Sequence, residues 1–180
     1  MAILDAAVSL LAESPDASVA AVGRAAGVTR QTVYAHFPSR QALLSAVLDR
    51  VTEESLAAMD AAEEGADSAI DALRRMIDAS WRTGERYPLL ADISTAAVDP
   101  EVDSERHLPV IERLIQLIER GQAAGEFAPE PPASWLASAT VALGHAAAEE
   151  AVAGRFSRAE ALAALHISLH RLLTAPSAPL

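Results

Sequence analysis

The sequence predicts an all-α protein of about nine helices, and three observations predict it. Apolar residues recur three and four positions apart through most of the chain, and no segment alternates with a period of two. Hydrophobic residues make up 51 % of the 180 while aromatics make up only 4 %, and alanine supplies much of the difference. That composition suits helices packed closely together. Finally, glycines, prolines and capping hydroxyls interrupt the pattern at intervals that leave helix-length segments between them.

The elements follow in chain order. Ile3, Ala7, Leu10 and Leu11 share a helical face, so residues 2–14 read as a first helix that Ser14-Pro15-Asp16 ends. Ser18 caps a second helix over 19–26, and Thr29 opens a third over 29–35. Pro38 closes that group. Ser39 then caps a long fourth helix, to about residue 63, with Leu43, Leu44, Val47, Leu48, Val51 and Met59 on its apolar face. Ser68 caps a fifth helix over 69–86, bearing Ile70, Leu73, Ile77 and Trp81. Leu89 to Val98 forms a short sixth. After a polar connection from Asp99-Pro100, Pro109 opens a seventh helix with Ile111, Leu114, Ile115 and Ile118, ended by Gly121 and Gly125. An eighth helix covers 133–152. Ser157 and Glu160 form a capping box for a ninth, with Leu162, Leu165, Leu169, Leu172 and Leu173. The tail beyond Thr174 should fray.

The stretch from Val22 to Phe37, VGRAAGVTRQTVYAHF, carries the functional signal. Gly27 suits a chain that leaves one helix with positive φ, and Thr29 caps the next through its hydroxyl. Val22, Val28, Val33 and Phe37 are spaced to fill one small core, leaving Arg30, Gln31, Thr32 and Tyr34 outside. A short helix that buries so little and displays such side chains suits the second helix of a helix-turn-helix, which enters the DNA major groove. There Arg30 can pair with guanine O6 and N7, and Gln31 with adenine N6 and N7. Thr29, Thr32, Tyr34, His36 and Arg40 are placed to grip phosphates, as are Ser18 and Val19 through their backbone at the start of the second helix. From the spacing alone, a small helical subdomain with an ordinary polar face stays open. So do a partly buried Tyr34 and a His36 that only caps.

The resemblance to a known family becomes specific at these residues. ILDAAVSLLAE followed by SVAAVGRAAGVTRQTVYAHFPSRQALL resembles the N-terminal domain of the tetracycline-repressor (TetR) family of bacterial transcriptional regulators. Gly23, Gly27 and Val33 keep the helix-turn-helix spacing, and Tyr34 to Arg40 with Leu43 and Leu44 form the more distinctive half. Counterparts of Tyr34, His36 and Arg40 commonly contact the DNA backbone in that family. Gly23 replaces the family's usual alanine, and Arg40 its usual lysine. The resemblance implies a helix-turn-helix domain over residues 1–45, joined by the long helix to a helical ligand-binding and dimerisation domain over 46–180. It also implies a homodimer on a pseudo-palindromic double-stranded operator, and a small-molecule effector of unknown identity that releases a repressor. No basic stretch precedes Ile3, so no N-terminal arm is expected to add DNA contacts.

Charge and composition bound the rest. The net charge is −11, yet residues 1–50 hold four arginines (24, 30, 40 and 50) and four acids (Asp5, Glu13, Asp16 and Asp49). The first fifty residues are therefore neutral, and the acidic excess lies beyond them. There is no cysteine, which excludes a disulfide framework and thiol chemistry. No apolar run approaches the ~20 residues of a membrane span, and no signal peptide precedes the first helix, so a cytoplasmic protein is expected.

The candidate effector pocket comprises the scarce large side chains Trp81, Tyr87, Phe127 and Trp135, the deformable Met59 and Met76, and the polar Asp92, Thr95, Thr140 and His145. Each tryptophan could equally be plain core. The candidate dimer interface is the leucine face of the ninth helix with the alanine-rich eighth: Leu143, Ala147, Leu162, Leu165, His166, Leu169, Leu172 and Leu173. His166 and His170 have metal-ligand spacing but lack a third ligand, so no metal or cofactor is expected. No phosphate-cradling glycine loop, nucleophile elbow or paired catalytic carboxylates occur, so no enzyme is expected. The alternative is an all-helical small-molecule-binding or enzymatic domain with a vestigial helix-turn-helix.

Overall fold

A computed structural model describes residues 2–14, 16–87 and 100–174, and of 100–106 the backbone alone. Its elements are α1 (Ala2–Glu13), α2 (Val19–Ala25), α3 (Arg30–His36), α4 (Arg40–Glu63), α5 (Ala69–Arg86), α6 (Pro100–Ala123), α7 (Ala133–Val152) and α8 (Arg158–Thr174). No strand occurs among the described residues. The helix expected over Leu89–Val98 and the tail beyond Thr174 lie outside them.

The start signals act as their chemistry requires. Ser18, Thr29, Ser39 and Ser68 accept backbone N–H bonds from Ala21, Thr32, Ala42 and Asp71 at 3.2, 3.1, 3.0 and 3.2 Å. At α8 the box is reciprocal: Glu160 N–H donates to Ser157 Oγ at 3.2 Å, and Ser157 N–H donates to Glu160 Oε2 at 2.8 Å. The Ser157 hydroxyl, which donates to the same Glu160 oxygen at 2.6 Å, and then the Ser157 N–H hold the Glu160 carboxyl below its ordinary pKa.

One boundary corrects the expectation. Pro109 does not open its helix but lies inside α6, which begins at Pro100. A proline costs a helix interior one hydrogen bond without forbidding the turns before it. At the first helical position the missing N–H costs nothing, which makes Pro100 the better start signal.

The chain divides into two compact units, Met1–Ser55 with Arg82–Arg106, and Leu56–Trp81 with His107–Leu180. The expected division at 45/46 falls within the first of them, and α4, α5 and α6 each contribute residues to both units.

In the first unit, Ile3, Ala7, Val8 and Leu11 of α1, Val19 and Val22 of α2, and Val33 of α3 bury against Leu43, Leu44, Val47, Leu48 and Val51 of α4. Tyr87, just past α5, joins this core. It lies beside Val8, Leu11, Val47 and Val51 and donates its hydroxyl to Glu54 Oε2 at 2.8 Å. Arg86 pairs with the other oxygen of Glu54 at 2.7 Å. Burial, then the Glu54 carboxylate, push the Tyr87 phenol above its usual pKa.

The core of the second unit collects Met59, Leu73, Met76, Ile77, Leu114, Leu117, Ile118, Leu136, Leu165, Leu169 and Leu173. The loop after α6 seals one end. Phe127 is 3 % exposed and lies against Gly121, while Ala128 N–H donates to the Leu173 carbonyl at 2.8 Å. Glu126 Oε2 accepts from the Ala69 N–H at 2.7 Å, satisfying a free donor at the start of α5.

Asp60 of α4 accepts a two-pronged bond from Arg113 of α6, with Oδ2 at 2.7 Å from Nη2. Those bonds hold the Asp60 carboxyl below its ordinary pKa of 3.8. A carboxylate whose pKa is depressed by folding stabilises the folded state above its unfolded pKa, and that stabilisation disappears as the pH falls through the folded value. Asp60 is half-exposed, so solvent screening limits the effect to about 1 kcal/mol or less. Asp60→Asn should therefore lower the urea midpoint at pH 7, and the gap from wild type should close as the pH falls well below 3.8. A gap that stays constant down to acid pH would show that the pair does not act through the charge of Asp60.

Candidate nucleic-acid interface

The geometry between α2 and α3 is set by two glycines. Gly27 adopts φ +70°, the left-handed conformation that ends α2. Val28 N–H then donates to the Gly23 carbonyl at 2.8 Å, and Gly27 N–H to the Arg24 carbonyl at 3.1 Å. Gly23 lies where α3 approaches most closely: a Cβ there would stand 3.1 Å from the Val28 carbonyl oxygen and 3.4 Å from Val33 Cγ2. Glycine thus loses some helix propensity but fits this contact without crowding.

With Val33 fully buried, α3 keeps its other side chains partly or wholly in solvent. Thr29, Arg30, Gln31 and His36 are exposed, while Thr32 and Tyr34 are half-buried. Tyr34 packs against the core of the unit, as one of the open readings held. The Thr29 and Thr32 hydroxyls bond each other at 2.9 Å. Arg30 places its guanidinium carbon 5.2 Å from the centre of the Tyr34 ring, and its Nη2 lies 3.4 Å from the Tyr34 hydroxyl. The sequence reading missed this pairing, although four-residue spacing on one helix was the signal for it.

At the start of α2, Ser18 is exposed and caps, while the Val19 side chain is buried, which leaves Val19 only its backbone to offer a phosphate. Arg40 is half-buried, and its Nη1 donates to the Ala17 carbonyl at 2.5 Å. It ties the start of α4 to the approach to α2. All nine predicted DNA-contacting residues belong to the first unit.

The pocket candidates do not converge. Met59, Met76 and Phe127 are core of the second unit, and Trp81 is half-buried against it. Thr140 is buried, its hydroxyl bonded to the Leu136 carbonyl at 2.8 Å. Tyr87 belongs to the first unit. His145 is exposed and meets His107 edge to face at 5.3 Å. Trp135 is 63 % exposed, which removes it from any pocket within this chain. It follows the alternation of α7, whose buried side is Ala133, Leu136, Ala137 and Thr140. Asp92 and Thr95 lie outside the described residues. A groove of about 300 Å³ runs between Ile70, Leu73 and Ile77 of α5 and His166, Leu169 and His170 of α8, and it is lined by none of the pocket candidates.

The dimer candidates divide as well. Leu165, Leu169 and Leu173 are 4, 2 and 0 % exposed and belong to the core of their own chain, because one residue in four along α8 faces inward with Ala161. Leu143, Ala147, Leu162 and Leu172 are half-buried. His166 Nε2 lies 2.8 Å from Asp78 Oδ1. Among the described residues no three histidines or acids are grouped to hold a metal, and no helix is long and apolar enough to cross a membrane.

Known proteins match both units. Residues 3–47 match the family described as "Bacterial regulatory proteins, tetR family". The transcriptional repressor LfrR of Mycolicibacterium smegmatis is 31 % identical over 134 residues, covering 74 % of this chain and 69 % of LfrR. The transcriptional regulator EthR of Mycobacterium tuberculosis is 38 % identical over 87 residues, covering 47 % of this chain and 37 % of EthR. The crystal structure of LfrR in complex with proflavine superposes with a TM-score of 0.68 at 28 % identity, over 99 % of this chain and 97 % of that one. Those matches carry the likeness well past the helix-turn-helix, to a set of DNA-binding transcriptional regulators and not enzymes. The chain belongs to the tetR family of bacterial regulatory proteins.

Proposed function

We propose that the protein is a homodimeric, cytoplasmic repressor that binds a pseudo-palindromic operator and is released by a small molecule. The observation that carries this reading is α3, a capped seven-residue helix that buries Val33 and leaves Arg30 and Gln31 in solvent. Arg30 and Gln31 read base edges. Thr29, Thr32, Tyr34, His36 and Arg40 hold phosphates, as do the backbone N–H groups at the start of α2.

The dimer reading is supported by large apolar side chains left in solvent on α7, on α8 and between them. Trp135, Val152, Phe156 and Ile167 are 63, 62, 46 and 54 % exposed. A two-fold axis lets one such patch cover its own copy, with Leu143, Ala147, Leu162 and Leu172 at its margin. Two heads then require half-sites about one DNA turn apart. Because the first fifty residues are neutral and the remainder acidic, non-specific affinity should be modest, and the part carried by arginine–phosphate contacts should fall with salt.

The effector reading draws on the LfrR complex with proflavine, a small molecule held by a relative of the same fold. An effector bound in the second unit would favour a tilt of α4, which runs from the first unit into the second. A tilt alters the separation of the two α3 helices. Nearly complete release needs about 10⁴-fold preference of the effector for the tilted state, about 5.5 kcal/mol.

Selection from a random duplex pool at low and moderate salt, with sequencing of the bound fraction, tests the proposal. An enriched inverted repeat is the expected result and supplies the operator for effector screening. Enrichment of nothing at either salt would overturn the reading.

A further inference from the structure

We infer that Tyr34 is a positioning residue for Arg30, and that the pair sets a preference for guanine at one position of each half-site. The inference rests on the operator-binding reading above. Helical side chains lean toward the N-terminus, so a ring at Tyr34 covers the turn that carries Arg30. The ring is anchored, since Tyr34 is half-buried against the core of the first unit. Arg30 is exposed, and an arginine at such a site otherwise samples many rotamers.

The guanidinium carbon stands 5.2 Å from the ring centre, within reach of cation–π attraction. At 3.4 Å the bond from Nη2 to the Tyr34 hydroxyl is long, so the ring face is the stronger constraint. A guanidinium has five N–H donors, and this contact uses one. The donors that remain can pair in a fork with guanine O6 and N7, the two-acceptor pattern that arginine fits best. The neighbouring hydroxyls of Thr29 and Thr32 bond each other and leave the guanidinium to the ring.

The test measures affinity by fluorescence anisotropy for three duplexes: the selected operator, the operator with the guanine assigned to Arg30 changed to adenine in both half-sites, and a random sequence. Arg30→Ala makes that assignment, as the position whose preference it relaxes. Tyr34→Phe keeps the ring and should keep the discrimination. Tyr34→Leu should reduce discrimination about two- to five-fold per half-site, hence about four- to twenty-five-fold on the palindrome, over and above the even loss on all three duplexes that its phosphate contact accounts for. In an Arg30→Ala background, Tyr34→Leu should reduce it no further.

Where Tyr34→Leu loses its helical circular dichroism, Arg30→Lys replaces it, because that change keeps the charge, removes the fork and touches no core. It should lose discrimination likewise. Two results overturn the inference while leaving the operator reading intact. One is an equal loss on all three duplexes for both tyrosine variants, which makes Tyr34 only a phosphate contact. The other is that no guanine loses its preference in Arg30→Ala. A wild-type protein that selects no sequence overturns both readings.

Discussion

Gly121→Ala should be the most destabilising small substitution in the second unit, costing about 3 kcal/mol and lowering the melting temperature by about 6–12 °C. A methyl group there would collide with Phe127 Cδ2, stand 2.5 Å from its Cε2 and 3.0 Å from Ala69 Cβ. The ring has nowhere to retreat without leaving the core, because Phe127 is 3 % exposed and its loop is tied to Leu173 and Ala69. Alanine's better helix propensity, about 1 kcal/mol, offsets only part of that. The same change at Gly84, where a Cβ meets nothing within 4 Å, should be neutral or stabilising. Trimming the ring in a Gly121→Ala, Phe127→Leu double variant should recover part of the loss. Equal melting temperatures for Gly121→Ala and Gly84→Ala would show that the loop gives way freely.

The second large effect separates two arginines of the head. Arg30→Ala should cost about 1–3 kcal/mol per half-site on the operator and much less on random duplex, because a bidentate base contact discriminates by that amount. Arg40→Ala should weaken both duplexes alike. It should also lower the melting temperature of the head, since it removes the bond from α4 to the Ala17 carbonyl. Binding isotherms on matched and random duplexes, with thermal melts beside them, decide this. Equal losses on both duplexes for both variants would mean that Arg30 holds a phosphate and reads no base.

Much of the fold was legible because its signals are local. Ser18, Thr29, Ser39, Ser68 and the pair Ser157 and Glu160 act within three residues of themselves, and each caps as its chemistry requires. The head was legible for a related reason: on α3 the one fully buried position, Val33, stands out against polar neighbours. The second unit was harder. Alanine is apolar on either side of a helix, so the alanine-rich α7 gives no clear stripe, and Trp135, read as pocket or core, is instead 63 % exposed. On α8 the leucines at 165, 169 and 173 and those at 162 and 172 read as one wide face, whereas packing buries the first set and leaves the second half-covered. Arg40's bond to a backbone carbonyl twenty-three residues away carries no sequence signal at all.

Tyr87 also means that the head cannot be moved as a cassette. A fragment cut at Ser55 would hold α1, α2 and α3 intact yet leave Val8, Leu11, Val47 and Val51 without the ring that lies beside them. Such a fragment would be prone to aggregate, and its failure to bind DNA would say nothing about base recognition. A chimera that grafts this head onto another body therefore needs three seams, one after α4 leaves the head and one on either side of the segment that carries Thr83 to Tyr87.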